Sequence, residues 1–409
     1  MKKLLLIMLA LSSLFAKIDK ISPIPPAEVF YINLEPAPCD NKCLAELVKK
    51  GFYVSFLARY DEAAANASQR ELYATLMNEG DAYFAGTPLP TETQAPAFMP
   101  IATDSRIAVL VPQKVIKSYA LTVTNSILAY VARTRANVGI RFYLTGDESA
   151  ANLERAITSL SGEGYAYVIA PVTSRGLAVI ADTKYSNLFF YIPTLSASAT
   201  SVKAPNIVFG GVDYAEQIAL LMKYGNGRIA AFSDGSALGD MLSREVDRIS
   251  GGAYLREMSG DKFNAKAMLE GNGRLRGASI FLNTPLLKTA LLSSQFRFFD
   301  LTPHALLSTQ INYDPAIFSL TQYGDRRNLY VAHSFTRIDD SLCASAGILG
   351  ANIAIDRVGY PSAFGVDYVL NHFVAGSESA IFGEKIEDGQ VKYDTKVLKA
   401  GQYNFTEVE

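Results

Sequence analysis

Histidine is scarce in this chain, with only His304, His333 and His372 among 409 residues, and cysteine is equally rare at Cys39, Cys43 and Cys343. Cys39 and Cys43 are close together, but none of the three histidines lies near them in sequence, so no metal centre is expected. No G-x-S-x-G elbow occurs, and none of the three histidines sits in a recognisable nucleophile motif, so a catalytic site is not expected either. Gly225-Asn226-Gly227 and Gly271-Asn272-Gly273 precede strand-like runs instead of following them. That order is wrong for a dinucleotide fingerprint, so both read as turns and no cofactor is implied. A net charge of -2 lacks the basic excess that nucleic acid or an anionic membrane surface calls for.

Long apolar runs are also missing, except at the start. Lys2 and Lys3 precede Leu4 to Leu11, and Ser12 to Ala16 follow before Lys17, the pattern of a cleaved secretory signal peptide over 1–16. Nothing later is long and apolar enough to cross a bilayer, so the mature chain is expected to be exported to the periplasm without a transmembrane segment. Cys39 and Cys43 flank Asp40-Asn41-Lys42 and can close a small disulfide loop in an oxidising compartment, leaving Cys343 as a buried thiol. At 409 residues with 49% apolar and 19% charged residues, the chain is globular and long enough for two or three domains.

What is present in abundance is alternation. Ile21 to Pro38 is Pro-rich and extended, and Cys43 to Phe84 carries apolar residues at helical spacing, suggesting a helical hairpin joined at Ala63 to Ala67. Thr87 to Pro100 holds four prolines and reads as a linker. From Ser105 onward strands and helices alternate. Three apolar runs, Arg106 to Pro112, Tyr165 to Ser174 and Leu188 to Thr200, close abruptly on Pro, Ser, Thr or small residues. Such runs suit strands buried on both faces of a parallel sheet, and their small polar ends suit a binding edge at the strand carboxyl termini. A second series begins at Arg228 to Phe232 and runs through helices at Leu238 to Ile249, Lys262 to Leu269, Leu286 to Gln295 and Pro315 to Tyr323. The repeated βαβ pattern predicts two doubly wound parallel sheets in two lobes. Arg326-Arg327 and Asp339-Asp340 read as solvated loop charges, and Asp388-Gly389 as a tight turn in a closing hairpin.

At this point the chain resembles the type I periplasmic binding proteins, especially the branched-chain amino-acid-binding group, over roughly Ser105 to Val374. Val168 to Ser174 is similar to that family's strand ending in a ligand-contacting Ser. Leu195 to Thr200 resembles its next loop, where a carbonyl and a Thr hydroxyl receive an ammonium group. Asp261 to Ala265, with Ala278 to Asn283, is similar to the second lobe. Two places depart from the amino-acid group. Gln113 to Lys117 stands where a Gly-rich loop is usual, and Leu238 precedes Gly239 where a Tyr is usual. The envelope activators of penicillin-binding proteins, which carry helices ahead of a two-lobed fold, are also similar, through Ser308 to Tyr313 and Phe364 to Asp367.

The resemblance implies an α/β, two-lobed type I periplasmic-binding-protein fold with a small helical N-terminal extension. The expected segments are the 1–16 signal peptide, 17–104 extension and linker, 105–212 plus 335–385 as lobe 1, 213–334 as lobe 2, and 386–409 as a C-terminal hairpin. It further implies Ser174, Ser198 and Thr200 as ligand contacts, although each can equally cap a following helix. Asp234, at the matching edge of lobe 2, either meets an ammonium group or serves as a turn residue. Two functions follow as expectations: recognition of a small polar, amino-acid-like or peptide-like solute between the lobes, or a protein-interaction role in the cell envelope.

Overall fold

A computed structural model describes residues 39–50, 53–84, 106–258, 264–336, 338–374 and 381–408. The expected signal peptide, the Pro-rich stretch, the linker at 87–100 and the 261–263 part of the lobe 2 motif lie outside the described residues. The chain divides into an N-terminal unit and a larger unit, at Phe98.

The N-terminal unit contains α1 (Asn41–Lys49), α2 (Tyr53–Ala58) and α3 (Ala67–Phe84). Two helices were expected in this region, and among the described residues three form, because the first apolar series is interrupted after Lys49. Asp40 caps α1 by accepting from the Cys43 amide, and Cys39 and Cys43 are disulfide-bonded across that first turn. Leu44, Phe56 and Ala65 form the buried centre, and Tyr60 stacks on Tyr73 at 3.9 Å.

The larger unit is built on two seven-stranded sheets. Sheet 1 takes β1 (Arg106–Val111), β2 (Gly139–Leu144), β3 (Tyr167–Ile169), β4 (Phe189–Ile192) and β5 (Ile207–Phe209) in parallel, with helices α4 (Gln113–Ile116), α5 (Tyr119–Thr134), α6 (Ala150–Gly162) and α7 (Ser174–Ile180) between them. After α8 (Tyr214–Met222), sheet 2 takes β6 (Ile229–Ser233), β7 (Tyr254–Glu257), β8 (Ser279–Asn283), β9 (Ala305–Ser308) and β10 (Leu329–His333), again in parallel. Their intervening helices are α9 (Ala237–Ser250), α10 (Ala265–Leu269), α11 (Leu286–Phe298), α12 (Ile317–Leu320) and α13 (Tyr323–Arg326). The chain then returns through α14 (Asp340–Ile348) and α15 (Gly359–Phe373) to β11 (Lys385–Glu387) and β12 (Gln390–Lys392) in sheet 1. It ends in β13 (Lys396–Ala400) and β14 (Phe405–Glu407) in sheet 2. The segment expected as one closing hairpin thus forms two, one on each sheet. The chain crosses between sheets three times, at 210–213, 334–339 and 393–395.

Strand alternation explains why the runs are continuously apolar. In β1, Ile107, Val109 and Val111 enter one core while Ala108 and Leu110 enter the other. In sheet 2, Phe232, Ile280 and Leu282 lie on one face, with Ala231, Phe281 and Leu307 on the other. Both faces of each sheet are therefore covered, as a parallel sheet requires.

Several local expectations are corrected. Gln113 to Lys117 is not a loop but contains α4, and the helix expected over Pro315 to Tyr323 is split into α12 and α13. Arg326 is buried, donating to the Thr321 and Gln402 carbonyls, and is not a solvated loop charge. Asp339 is likewise structural: it caps α14 through the Leu342 amide and pairs with Arg133 at 3.0 Å.

Candidate functional site

In a parallel sheet the strand carboxyl ends share one edge, and the turns that follow them project from it. At that edge of sheet 1 lie the loops after β2, β3, β4 and β5, carrying Glu148, Thr173, Ser198 and Asp213. The corresponding edge of sheet 2 carries Asp234 after β6.

Thr173, not Ser174, caps α7; its hydroxyl accepts from the Arg175 amide at 3.3 Å. Ser174 is the first helical residue and its side chain is exposed. Three of the amides at the opening of α7, those of Thr173, Arg175 and Gly176, already have a side-chain acceptor. Glu148, only 2% exposed, receives the Thr173 amide at 2.7 Å, the Gly176 amide at 3.1 Å and the Thr173 hydroxyl. Gly176 permits this approach, since a Cβ there would lie 2.7 Å from Val172 Cβ and 3.0 Å from Glu148 Cδ. A carboxylate of the protein itself therefore accepts from two backbone N–H groups at the carboxyl edge of sheet 1.

The second loop is also satisfied internally. Ser198 lies in a short 3-10 turn; its hydroxyl donates to Asp213 Oδ1 at 2.9 Å and lies 2.7 Å from Ser196 Oγ. Asp213 also caps α8 by accepting from the Glu216 amide at 3.2 Å, so this rim residue is tied to the first crossing between sheets. Thr200 accepts from its neighbour, the Val202 amide, at 3.1 Å. On the other sheet Asp234 accepts from the Ser236 hydroxyl at 2.6 Å and amide at 3.2 Å, within the turn that opens α9. Ser174, Ser198 and Thr200 thus share the edge of sheet 1, Asp234 belongs to sheet 2, and no hydrogen bond joins the two groups among the described residues.

Behind the rim, buried amides hold the crossings. Gln390, 4% exposed, accepts from the Ala197 amide at 2.7 Å and donates to the Gly211 carbonyl at 3.1 Å, joining the β4 loop to the first crossing. Gln217 on α8, fully buried, accepts from the Gln310 amide at 2.9 Å and donates to Ser334 Oγ at 2.8 Å. Ser334 Oγ in turn lies 3.0 Å from Thr395 Oγ1, so the second and third crossings share one knot. An aromatic column runs alongside: Tyr313 stacks on His333 at 3.6 Å, His333 meets Phe335 at 5.8 Å, and Phe335 stacks on Tyr360 at 4.3 Å. Burial holds the His333 pKa down at about 4, keeping the imidazole neutral. Deeper in lobe 1, burial raises Asp367 to about 6 while its Oδ1 accepts from Tyr130 Oη at 2.9 Å.

Sequence reasoning located the rim loops but missed Glu148, Thr173, Asp213, Gln217 and Gln390. Asp213 had a readable signal, an acidic residue three positions before Glu216 ahead of an apolar run. Glu148 had none, because its partners lie 25 and 28 residues away. A separate hollow of about 240 Å³, lined in part by Phe296, Arg297, Asp325 and Asn328, lies by the amino ends of β9 and β10 instead of the carboxyl edge. Among the described residues no cluster of three or more His, Cys, Asp or Glu could hold a metal, and no helix is long and apolar enough to cross a membrane.

No protein-family model and no curated protein matches this sequence. Solved structures do match. LpoA from Haemophilus influenzae aligns with a TM-score of 0.53 at 11% identity, covering 90% of this chain and 73% of that one. The C-domain of the same protein, described as a regulator of PBP1A, gives 0.51 at 12% identity, covering 75% of this chain and 100% of that one. A solute-binding protein of an ABC transporter from R. palustris, in complex with 4-hydroxybenzoate, gives 0.51 at 12% identity over 74% of this chain and 96% of that one. The two-lobed α/β fold with N-terminal helices is therefore of the type I periplasmic-binding-protein kind, a fold that the solute-binding protein and LpoA share.

Proposed function

We propose that this chain is an exported, periplasmic protein-interaction module of the cell envelope, in which the binding edge of the solute receptors has become structural. The observation that carries this reading is Glu148. Its carboxylate takes the Thr173 and Gly176 amides, the donors that a parallel sheet offers to an anionic ligand at this edge. Ser198 and Asp234 are similarly engaged with Asp213 and Ser236, so a solute would have to displace internal partners at each position. Similarity in fold to an envelope protein described as a regulator of PBP1A supports the same reading, and makes a PBP1A-type protein the first partner to test.

Thermal unfolding with a panel of amino acids, short peptides and aromatic carboxylates tests the proposal. A ligand bound at about 10 μM and supplied at about 1 mM would add ~2.7 kcal/mol, a shift of several degrees. The expected result is no shift from any solute, together with saturable binding to a purified envelope protein identified by cross-linking in intact cells. A solute that raises the melting temperature, with the gain lost in Ser174→Ala plus Thr200→Ala, overturns the reading. That result would restore solute recognition by Ser174, Ser198 and Thr200. The exposed hydroxyl of Ser174 is the observation that favours this alternative.

A further inference from the structure

The edge strand of sheet 2 carries a concentration of positive charge that no carboxylate among the described residues pairs with. β7 pairs with β6 on one side, and among the described residues no strand pairs with its other side, leaving an outer row of N–H and C=O groups of the kind that takes a further strand. Tyr254 and Arg256 project from the same face of β7, since alternate residues share a face. The Arg256 guanidinium lies 5.7 Å from the Tyr254 ring centroid and that of Arg274 lies 5.0 Å from it. Asn272 holds the ring from the same loop by donating to Tyr254 Oη at 3.3 Å. Arg228 donates to the Gly273 carbonyl at 2.8 Å, bringing a third guanidinium beside this loop. At the other end of the strand, Lys288 donates to the Met258 carbonyl at 3.2 Å.

Four cations therefore lie on β7, at its end or at the adjoining loop of Asn272 to Arg274, and Arg276, two residues further along the chain, is exposed. None of the five forms an ion pair among the described residues, whereas Arg133, Arg141, Arg248 and Arg297 are all paired with carboxylates. Arg256 Nε is buried without a hydrogen-bond partner among the described residues. Of the nearby acids, Glu257 projects from the opposite face of β7 and Glu270 is paired with Lys266 at 3.8 Å. With a whole-chain net charge of -2, this is local segregation of charge and not a general basic excess.

We infer that β7 is a docking edge for an extended, acidic peptide segment of a partner protein. The segment adds as an eighth strand, and its carboxylates on one face meet Arg256, Arg274, Arg228 and Lys288. Planar guanidinium groups favour carboxylates because two parallel N–H bonds match two oxygens, and stacking on Tyr254 orients them in advance. The strand pairing supplies register while the charges select acidic sequences. This inference deepens the interaction-module reading and rests on it, but it concerns a surface distinct from the rim at Glu148.

The test uses the full chain and a fluorescein-labelled peptide of alternating Glu and Val, ten residues long, followed by fluorescence anisotropy and amide hydrogen exchange. The expected outcome is saturable binding that weakens by about tenfold or more in Arg256→Glu plus Arg274→Glu and that weakens with added salt. Residues 254–257 should gain exchange protection on peptide addition. Because the stacked pair contributes to packing, Arg228→Glu plus Arg276→Glu, at exposed positions, provides a second variant in which affinity should also fall. Absence of saturable binding, or affinity unchanged in both variants, overturns the inference. Binding without protection at 254–257, matched by inorganic polyphosphate, would make this an unspecific polyanion surface and overturns it too. Each of these failures leaves the solute panel's result intact, so the two readings fail separately.

Discussion

Replacing Glu148 by Gln is the most direct challenge to the idea that this edge is internally occupied. The carboxylate accepts the Thr173 amide on Oε1 and the Gly176 amide and Thr173 hydroxyl on Oε2, at a site 2% exposed. A Gln side chain keeps one oxygen. If that oxygen serves Gly176 and the Thr173 hydroxyl, the new NH2 group faces the Thr173 N–H, donor against donor. One charge-assisted bond is lost and one buried N–H is left without an acceptor, for a cost of ~2–3 kcal/mol. In a cooperative unit of this size, residues 99–409, that corresponds to a fall of ~3–5 °C in Tm. Urea unfolding followed by circular dichroism measures the free energy, and differential scanning fluorimetry the temperature. Glu148→Ala adds a second readout, because it vacates the acceptor position without adding a donor. Formate at about 100 mM, bound there with a Kd near 10 mM, would restore ~1.4 kcal/mol. The wild type should not respond to formate. A loss below ~0.5 kcal/mol in Glu148→Gln would place the substitution among ordinary surface changes and refute the argument. Equal stabilisation of wild type and Glu148→Ala by formate would refute it as well.

Three further outcomes follow from buried polar groups. Asp367, with a folded pKa of about 6 against an ordinary 3.8, holds its proton more tightly when folded, so its contribution to stability grows as pH falls from about 6 toward about 4. Asp367→Asn, which keeps an oxygen for Tyr130, should therefore stabilise the protein by up to ~3 kcal/mol at pH 7.5 and lose that advantage near pH 4, measured by urea unfolding at both pH values. His333 has the opposite sign: with a folded pKa of about 4 against 6.5, its stability contribution is full above pH 6.5 and is lost as pH falls toward 4, by ~3 kcal/mol. His333→Phe, which keeps a ring against Tyr313, should flatten that part of the acid profile; an unchanged profile contradicts the assignment. Gln217→Leu leaves the Gln310 amide and Ser334 without their buried partner and should cost ~2–4 kcal/mol in equilibrium unfolding, against less than ~0.5 for an exposed substitution such as Gln402→Leu.

The strands of both sheets were legible because burial on two faces leaves a continuous apolar run, as in Arg106 to Val111 and Ser279 to Asn283. The breaks in α12 and α13 were not, since the apolar spacing continues through Leu320 to Tyr323 while Gln322 and Asp325 form a capping box that restarts the helix. At the candidate site, the position of the rim was readable from the Ser and Thr residues that end each run. Their state was not. Whether Thr173 offers its amide to a ligand or to Glu148 depends on a contact across 25 residues, which no local pattern encodes. The same limit applies to Arg326, whose buried role depends on carbonyls at Gly401 and Gln402, 75 and 76 residues later.

The crossings between the sheets bear on function as directly as the rim does. Two-lobed receptors respond by hinge closure, which requires the crossing segments to absorb changes in backbone dihedrals. Here the first crossing is bonded to Gln390 and, through its Gly210 carbonyl, to Tyr393 Oη on the third. The second and third are linked through Ser334 and Thr395, and both to α8 through Gln217. Phe335 fixes the second crossing further by stacking on Tyr360 while touching Tyr393 at 5.3 Å. A rotation that opens or closes the lobes has to strain this buried set. Breaking two or three such bonds at ~1–3 kcal/mol each would reduce the affinity of a closure-dependent ligand by a factor of about 30 or more. On the proposed reading the knot would act against closure as Glu148 would act against ligand entry, since both place internal partners where a receptor needs groups free to exchange. A surface such as β7, which needs no lobe movement to pair with a partner strand, is where a molecule built this way can still make a new contact.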